Sequence, residues 1–187
     1  MLKIINAPNI VLSQKAKPID KIDKSIHNLI KDMEQALIAA TDPEGIGLAA
    51  PQVEKSLQLF LIKQTPRSPT LVFINPKIEK YIDAEPEKIN QNEKPDKDNG
   101  VQLEGCLSLN NIWGIVKRYP AIVLSYQDET GQAHKRKFTG FIATIIQHEI
   151  DHLCGYLFTK RVLEQRNQLY NSKKNAKGEI EYEKIEL

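Results

Sequence analysis

Apolar residues recur at spacings of three and four from Ile22 through Ile26, Leu29, Ile30, Met33 and Leu37, drawing one stripe along a helix face. Pro18 and Asp20 supply start signals for this helix, and the run TDPEG at 41 to 45 stops it. Met33 and its neighbours on the stripe read as core. The period then changes. LQLFLI at 57 to 62, TLVFIN at 70 to 75 and AIVLSYQ at 121 to 127 are short, rich in branched and aromatic residues, and bounded by Pro, Asn or Gly, which predicts strands. DETGQ after the last of them predicts a hairpin turn into AHKRKFTG. A second helix is expected from about Thr139 or Gly140, with Phe141, Ile142, Ile145 and Ile146 ahead of the segment QHEIDHLCG. One helix, several antiparallel strands and a late helix predict an α+β fold, with antiparallel sheets packed around a central helix.

Two stretches break the pattern. DAEPEKINQNEKPDKDNG, at 83 to 100, has only Ala84 and Ile89 as apolar residues besides proline. It cannot bury enough surface to offset its ordering and reads as a mobile surface loop. The tail NSKKNAKGEIEYEKIEL begins as a basic polar linker, after which Ile180 and Tyr182 alternate with glutamates and suggest a short strand. The expected organisation is a single domain over 1–170 and a C-terminal extension over 171–187. No internal repeat is present.

At 187 residues the chain is long enough to bury a full core without disulfides. Its 26 basic and 24 acidic residues nearly cancel, so it lacks the concentrated positive charge that makes nucleic acid a default partner. The N-terminal stretch has no apolar signal region, and no run approaches the roughly 18 apolar residues of a spanning helix. The chain therefore reads as cytosolic, with no membrane partner. In that setting the two cysteines, Cys106 and Cys154, favour a metal or catalytic role over a disulfide.

H-E-x-x-H at 148 to 152 is the sharpest chemical signal. Residues four apart on a helix differ by about 40° around the axis, so His148 and His152 face one way and can share an ion. Glu149 lies roughly 80° from their mean direction, within reach of a water on that ion. Cys154 is about 140° away, which makes it a poor ligand and a small buried apolar residue. No histidine follows His152. Cys106, in LEGCLSLN, is the better third ligand on chemical grounds, because one thiolate and two imidazoles leave a coordination position for water. His27, His134 and downstream acids such as Glu164 compete for the role. EGIGLAAPQ, at 44 to 52, adds small residues that let a peptide backbone approach, and Gln52 can donate an amide hydrogen bond to a polarised oxygen. A plain turn at Gly45 and Gly47 with packed alanines is the competing reading.

Taken in order, G-I-G-L-A-A-P-Q, E-G-C-L-S and Q-H-E-I-D-H resemble the peptide deformylase family, and VLSQKAKPI near the start is similar to its opening segment. The resemblance runs from about residue 3 to about residue 163 and fades in the 83–100 loop and the tail. It implies one divalent metal ion, Fe2+ in the cell and Zn2+ or Ni2+ in isolated protein, held by Cys106, His148 and His152. It also implies that Glu149 is the general base and proton shuttle, and that Gln52 and the Leu107 backbone N–H donate to the carbonyl oxygen. Gly45, Ile46 and Gly47 would pair with the substrate backbone; Ile46, Phe141, Thr144 and Ile145 would form the methionine pocket. The implied reaction removes the N-formyl group from the formylmethionine of nascent polypeptides in a bacterial cytoplasm, with the ribosome as a candidate partner.

Glu104, Arg118 and Asp151 are the charged residues expected to orient the ligands, although Asp151 facing solvent is the plainer possibility. The chain departs from the family pattern after C-L-S, where Leu109 and Asn110 stand in place of a hydrophobic residue and proline. Trp113 replaces a frequently polar or basic residue near the cleft; it either walls the peptide or packs its hairpin. Two rivals remain: a metallopeptidase using the same helix, which needs a downstream ligand, and a non-catalytic metal-stabilised binding module, which needs a fourth protein ligand.

Overall fold

The computed structural model describes residues 2–41, 44–65, 67–83, 103–175 and 179–186. Apart from Asp83, the stretch expected to be a mobile loop lies outside these residues. In chain order the helices are α1 (Lys24–Ala39), α2 (Phe141–Leu153) and α3 (Phe158–Glu164). The strands are β1 (Gly47–Ala49), β2 (Leu59–Ile62), β3 (Leu71–Ile82), β4 (Leu103–Cys106), β5 (Leu109–Ile115), β6 (Ala121–Gln127), β7 (Ala133–Thr139), β8 (Leu169–Lys174) and β9 (Ile180–Lys184). They form two antiparallel sheets, β1-β2-β3-β6-β7 and β4-β5-β8-β9. The α+β fold expected from the sequence is the fold observed.

The larger sheet is covered on both faces, and β2 shows how. Alternate side chains of a strand point to opposite faces. Leu59 and Leu61 join Met33 and Leu37 of α1 on one face, while Phe60 and Ile62 join Ala143 and Ile146 of α2 on the other. All four residues of β2 are buried, which is why this strand reads as an unbroken apolar run. Each such side chain contributes about 1.5–3 kcal/mol of burial, so the strand fixes both helices against one scaffold. The smaller sheet packs on α3 through Phe158, Val162 and Leu169, in a cluster that also contains Cys106.

Several local details differ from the sequence reading. Asp23, not Asp20, caps α1: its Oδ1 accepts from the N–H groups of Ser25 at 2.8 Å and Ile26 at 3.3 Å. β3 continues past Asn75, which has φ 50°, because the register shifts between Ile74 and Lys77 and absorbs Pro76. The Asn75 amide holds the kink by bonding Ile19 N–H and Ile19 C=O, both at 2.8 Å. The second half of β3 is largely exposed and mixes Ile78, Tyr81 and Ile82 with three charged residues after Pro76, so its pattern carried no clear strand signal. β4, β5 and α3 were also silent in the pattern. Residues 171 to 174, read as linker, belong to β8, while the expected terminal strand is β9.

Candidate metal centre

α2 begins at Gly140, whose φ of 63° turns the chain out of β7, and it carries His148 and His152 on successive turns. β4 ends at Cys106 and brings the thiol to the same point. The ligand atoms of Cys106, His148 and His152 all lie within 4.8 Å of one another. Cys106 Sγ stands 3.2 Å from His152 Nε2. Ligand distances of about 2.3 Å to sulfur and about 2.0 Å to nitrogen place neighbours in a tetrahedral set ~3.5 Å apart, so this donor set fits a single ion. His152 and Cys106 are buried, which keeps competing water from the ligands.

The competing ligands fall away on position. His27 is exposed on α1. His134 is partly buried, and its Nε2 pairs with Asp128 Oδ2 at 2.6 Å. Glu164 pairs with Arg161. Cys154 is no ligand either, but it is exposed instead of buried: it falls at the C-cap of α2, past the helical arc from which its direction was reckoned.

A chain of charges holds His148 from behind. Its Nδ1 meets Glu104 Oε2 at 3.1 Å, leaving Nε2 for the site. Arg118 grips Glu104 with two bonds, Nε to Oε1 at 2.7 Å and Nη2 to Oε2 at 2.9 Å, and reaches Asp151 Oδ2 through Nη1 at 2.6 Å. Arg161 of α3 closes the chain on Asp151 at 2.7 Å. Asp151 is therefore buried and doubly paired, not solvent-facing. Burial would raise the Glu104 carboxyl, but the hydrogen bonds from Arg118 and then His148 outweigh it and hold the group at about 2.

Glu149 faces the opposite situation. Its Oε2 is buried with no hydrogen-bond partner among the described residues. Burial pushes its carboxyl up to about 7, with the charge of His148 opposing the rise. Gly47 of β1 makes room for it: a Cβ on Gly47 would lie 2.2 Å from Glu149 Oε1. Gln52 is buried, and its Oε1 accepts from Ala49 N–H at 2.9 Å. That bond fixes which end of the amide is free, so Nε2 turns toward Ser108 Oγ at 3.1 Å and Cys106 Sγ at 3.6 Å. Ser108 also donates its N–H to Cys106 Sγ at 3.4 Å. Both donors complement negative charge on the sulfur.

These groups open onto a cleft of about 260 Å³. Of the residues singled out from sequence, Ile46, Gly47, Gln52, Cys106, Leu107, Phe141, Thr144, Ile145, His148 and Glu149 line it. His152 lies beneath it. Gly45 is not on the wall: its N–H donates to Ala40 C=O at 3.0 Å, and an added Cβ would stand 2.8 Å from Leu37 Cδ1. Trp113 both lines the cleft and bonds within its own sheet, donating from Nε1 to Ser172 Oγ at 3.1 Å. Sequence reasoning missed Ser108 and Arg161. Ser108 had a signal in its place two residues after Cys106; Arg161 had none, since its link to Asp151 depends on how α3 docks.

Known proteins share this sequence and fold. The polypeptide deformylase family model matches residues 1–168. Peptide deformylase 2 of Prochlorococcus marinus is 39% identical over 167 residues, spanning 88% of this chain and 75% of that relative. The peptide deformylase of Campylobacter jejuni is 35% identical over 188 residues, spanning 95% and 98%. The crystal structure of a peptide deformylase from Synechococcus elongatus in complex with actinonin superposes with a TM-score of 0.71 at 37% identity, over 86% of this chain and 78% of that one. The β8–β9 hairpin begins just after the matched segment.

Proposed function

The chain belongs to the peptide deformylase family, and from that premise we propose how its own residues perform the reaction. The protein is a metal-dependent amide hydrolase that removes the N-formyl group from the formylmethionine of nascent polypeptides, leaving formate and a free amino terminus. Cys106, His148 and His152 would hold the ion. The ion, to which we assign Fe2+ in the cell with Zn2+ or Ni2+ as substitutes in isolated protein, would supply Lewis acidity toward water and the formyl carbonyl.

Glu149 accepts the proton of the attacking water and passes it to the departing amine. Burial lifts this carboxyl to about 7 in the absence of an ion, and the charge of a bound cation would draw it down from there, toward the ionised form that accepts a proton. Gln52 Nε2, by exchanging one of its present acceptors for the substrate, and the Leu107 N–H donate to the oxygen on which negative charge develops, and the Ala49 bond keeps the Gln52 amide oriented. β1 pairs with β2 on one side only among the described residues, so its other edge is available for the peptide to add as a strand. Gly47 is the residue of the Gly45–Ile46–Gly47 run best placed for that pairing, since the Gly45 N–H is given to Ala40 and the Ile46 carbonyl to Lys63. Ile46, Phe141, Thr144 and Ile145 wall the methionine side chain. We place the reaction in a bacterial cytoplasm, where the peptide is met at the ribosome.

One observation carries these roles: an unpartnered buried carboxylate oxygen one residue from a ligand, on the helix that supplies two of three ligands. Neither rival has comparable support. The metallopeptidase lacks its downstream ligand, and among the described residues the ligand cluster offers three protein groups where a closed structural site needs four. The test is anaerobic formate release from formyl-Met-Ala-Ser, with metal content measured on the same sample. Glu149→Ala should lose about 10²–10⁴-fold in turnover while retaining the ion. Retained turnover would remove Glu149 from the reaction, and a wild-type protein that binds metal without releasing formate would favour the binding module.

A further inference from the structure

Trp113 is used on both flanks and open on one face. Its six-membered ring covers Gly105, where an added Cβ would stand 2.8 Å from an indole carbon. Its Nε1, the only polar atom of the side chain, is spent on Ser172 Oγ at 3.1 Å. Tyr182 packs edge-on against it, with ring centroids 5.9 Å apart and planes at 84°. Ser172 and Tyr182 are opposed across the β8–β9 ladder, so a single hairpin supplies both supports. The indole is nevertheless only partly buried, and it lines the reaction cleft beside Gly105 and Leu107.

An indole with its N–H satisfied offers that cleft an apolar, polarisable surface and no hydrogen bond. The α2 side of the cleft, with Phe141, Thr144 and Ile145, is assigned above to methionine, and the reacting group sits at Cys106. Trp113 lies on the facing β4–β5 side, where only the rest of the peptide remains to meet it. Resting on the deformylase reading, we propose that Trp113, held by the β8–β9 hairpin, selects substrates with an aromatic or large apolar side chain at one of the two positions after the formylmethionine.

The experiment compares kcat and KM for formyl-Met-Phe-Ser, formyl-Met-Ser-Phe, formyl-Met-Lys-Ser and formyl-Met-Ser-Ser in the metal-loaded enzyme. One of the phenylalanine peptides should exceed formyl-Met-Ser-Ser in kcat/KM by about 2- to 10-fold, the range of one aromatic contact. The difference should sit in KM, because a remote contact binds ground and transition states alike. Trp113→Ala should bring the ratio to one, Trp113→Phe should restore most of it, and the double variant Ser172→Ala/Tyr182→Ala should lower it with Trp113 intact. The double variant keeps the test open if Trp113→Ala does not fold. Equal ratios in wild type and Trp113→Ala, or a preference for the lysine peptide, would overturn the proposal. Formate release from none of the four peptides by the wild type would overturn the deformylase reading, and the proposal with it.

Discussion

A methyl group at residue 47 would occupy the place of the Glu149 carboxylate, since the added Cβ would stand 2.2 Å from Oε1. The carboxylate is the end of a flexible side chain, so the fold can accommodate the methyl by moving that carboxylate. Gly47→Ala should therefore cost little stability but reduce kcat/KM by about 10²-fold, the usual effect of misplacing a catalytic group by an ångström. Formate release and thermal unfolding on one preparation check this; an equal loss of both would make Gly47 a packing residue. At this scale the sequence was most informative where chemistry is scarce. Cys106, His148, Glu149 and His152 were legible because few residue types bind metal or transfer protons. Ser108 and Arg161 were not, because serine and arginine are common and their importance lies in contacts with Gln52, Cys106 and Asp151.

At the scale of elements, β4, α2 and α3 are tied together by Glu104, Arg118, Asp151 and Arg161. Removing the central member leaves two carboxylates short of a partner and frees Glu104, which holds His148, to move. Arg118→Ala should weaken metal retention about 10- to 100-fold and destabilise the protein by about 3–5 kcal/mol. Chelator competition and denaturant unfolding read the two effects separately; unchanged retention would limit Arg118 to stability. Elements with a regular period were legible. α1 shows a clean stripe, β6 opens with four apolar residues, and α2 is mostly apolar ahead of its histidines. β4 and β5 were hidden by Gly105, Asn110 and Asn111, whose types favour turns. These two strands bring Cys106 to α2, so the sequence displayed the ligands more clearly than the scaffold that unites them.

For the molecule as a whole, the same charge network sets the response to acid. Glu104 titrates at about 2 in the fold against 4.5 when unperturbed, so its contribution is complete above about pH 4.5 and is lost as pH falls through about 2. The difference amounts to about 3 kcal/mol. Denaturant unfolding of the metal-free protein between pH 5 and pH 2 should thus show a steeper loss in wild type than in Glu104→Gln, which lacks the titrating group. Parallel slopes would place the acid sensitivity elsewhere.

The side chains that meet at the sulfur come from far apart along the chain: Cys106 is 46 residues from His152 and 54 from Gln52. Closing such long loops is the slow part of folding, whereas a helix forms from near neighbours in about a microsecond. α2 can thus present both imidazoles long before the thiol and the amide arrive. Formate release needs these long-range contacts together, and so reports completion of the entire topology rather than the presence of any part of it.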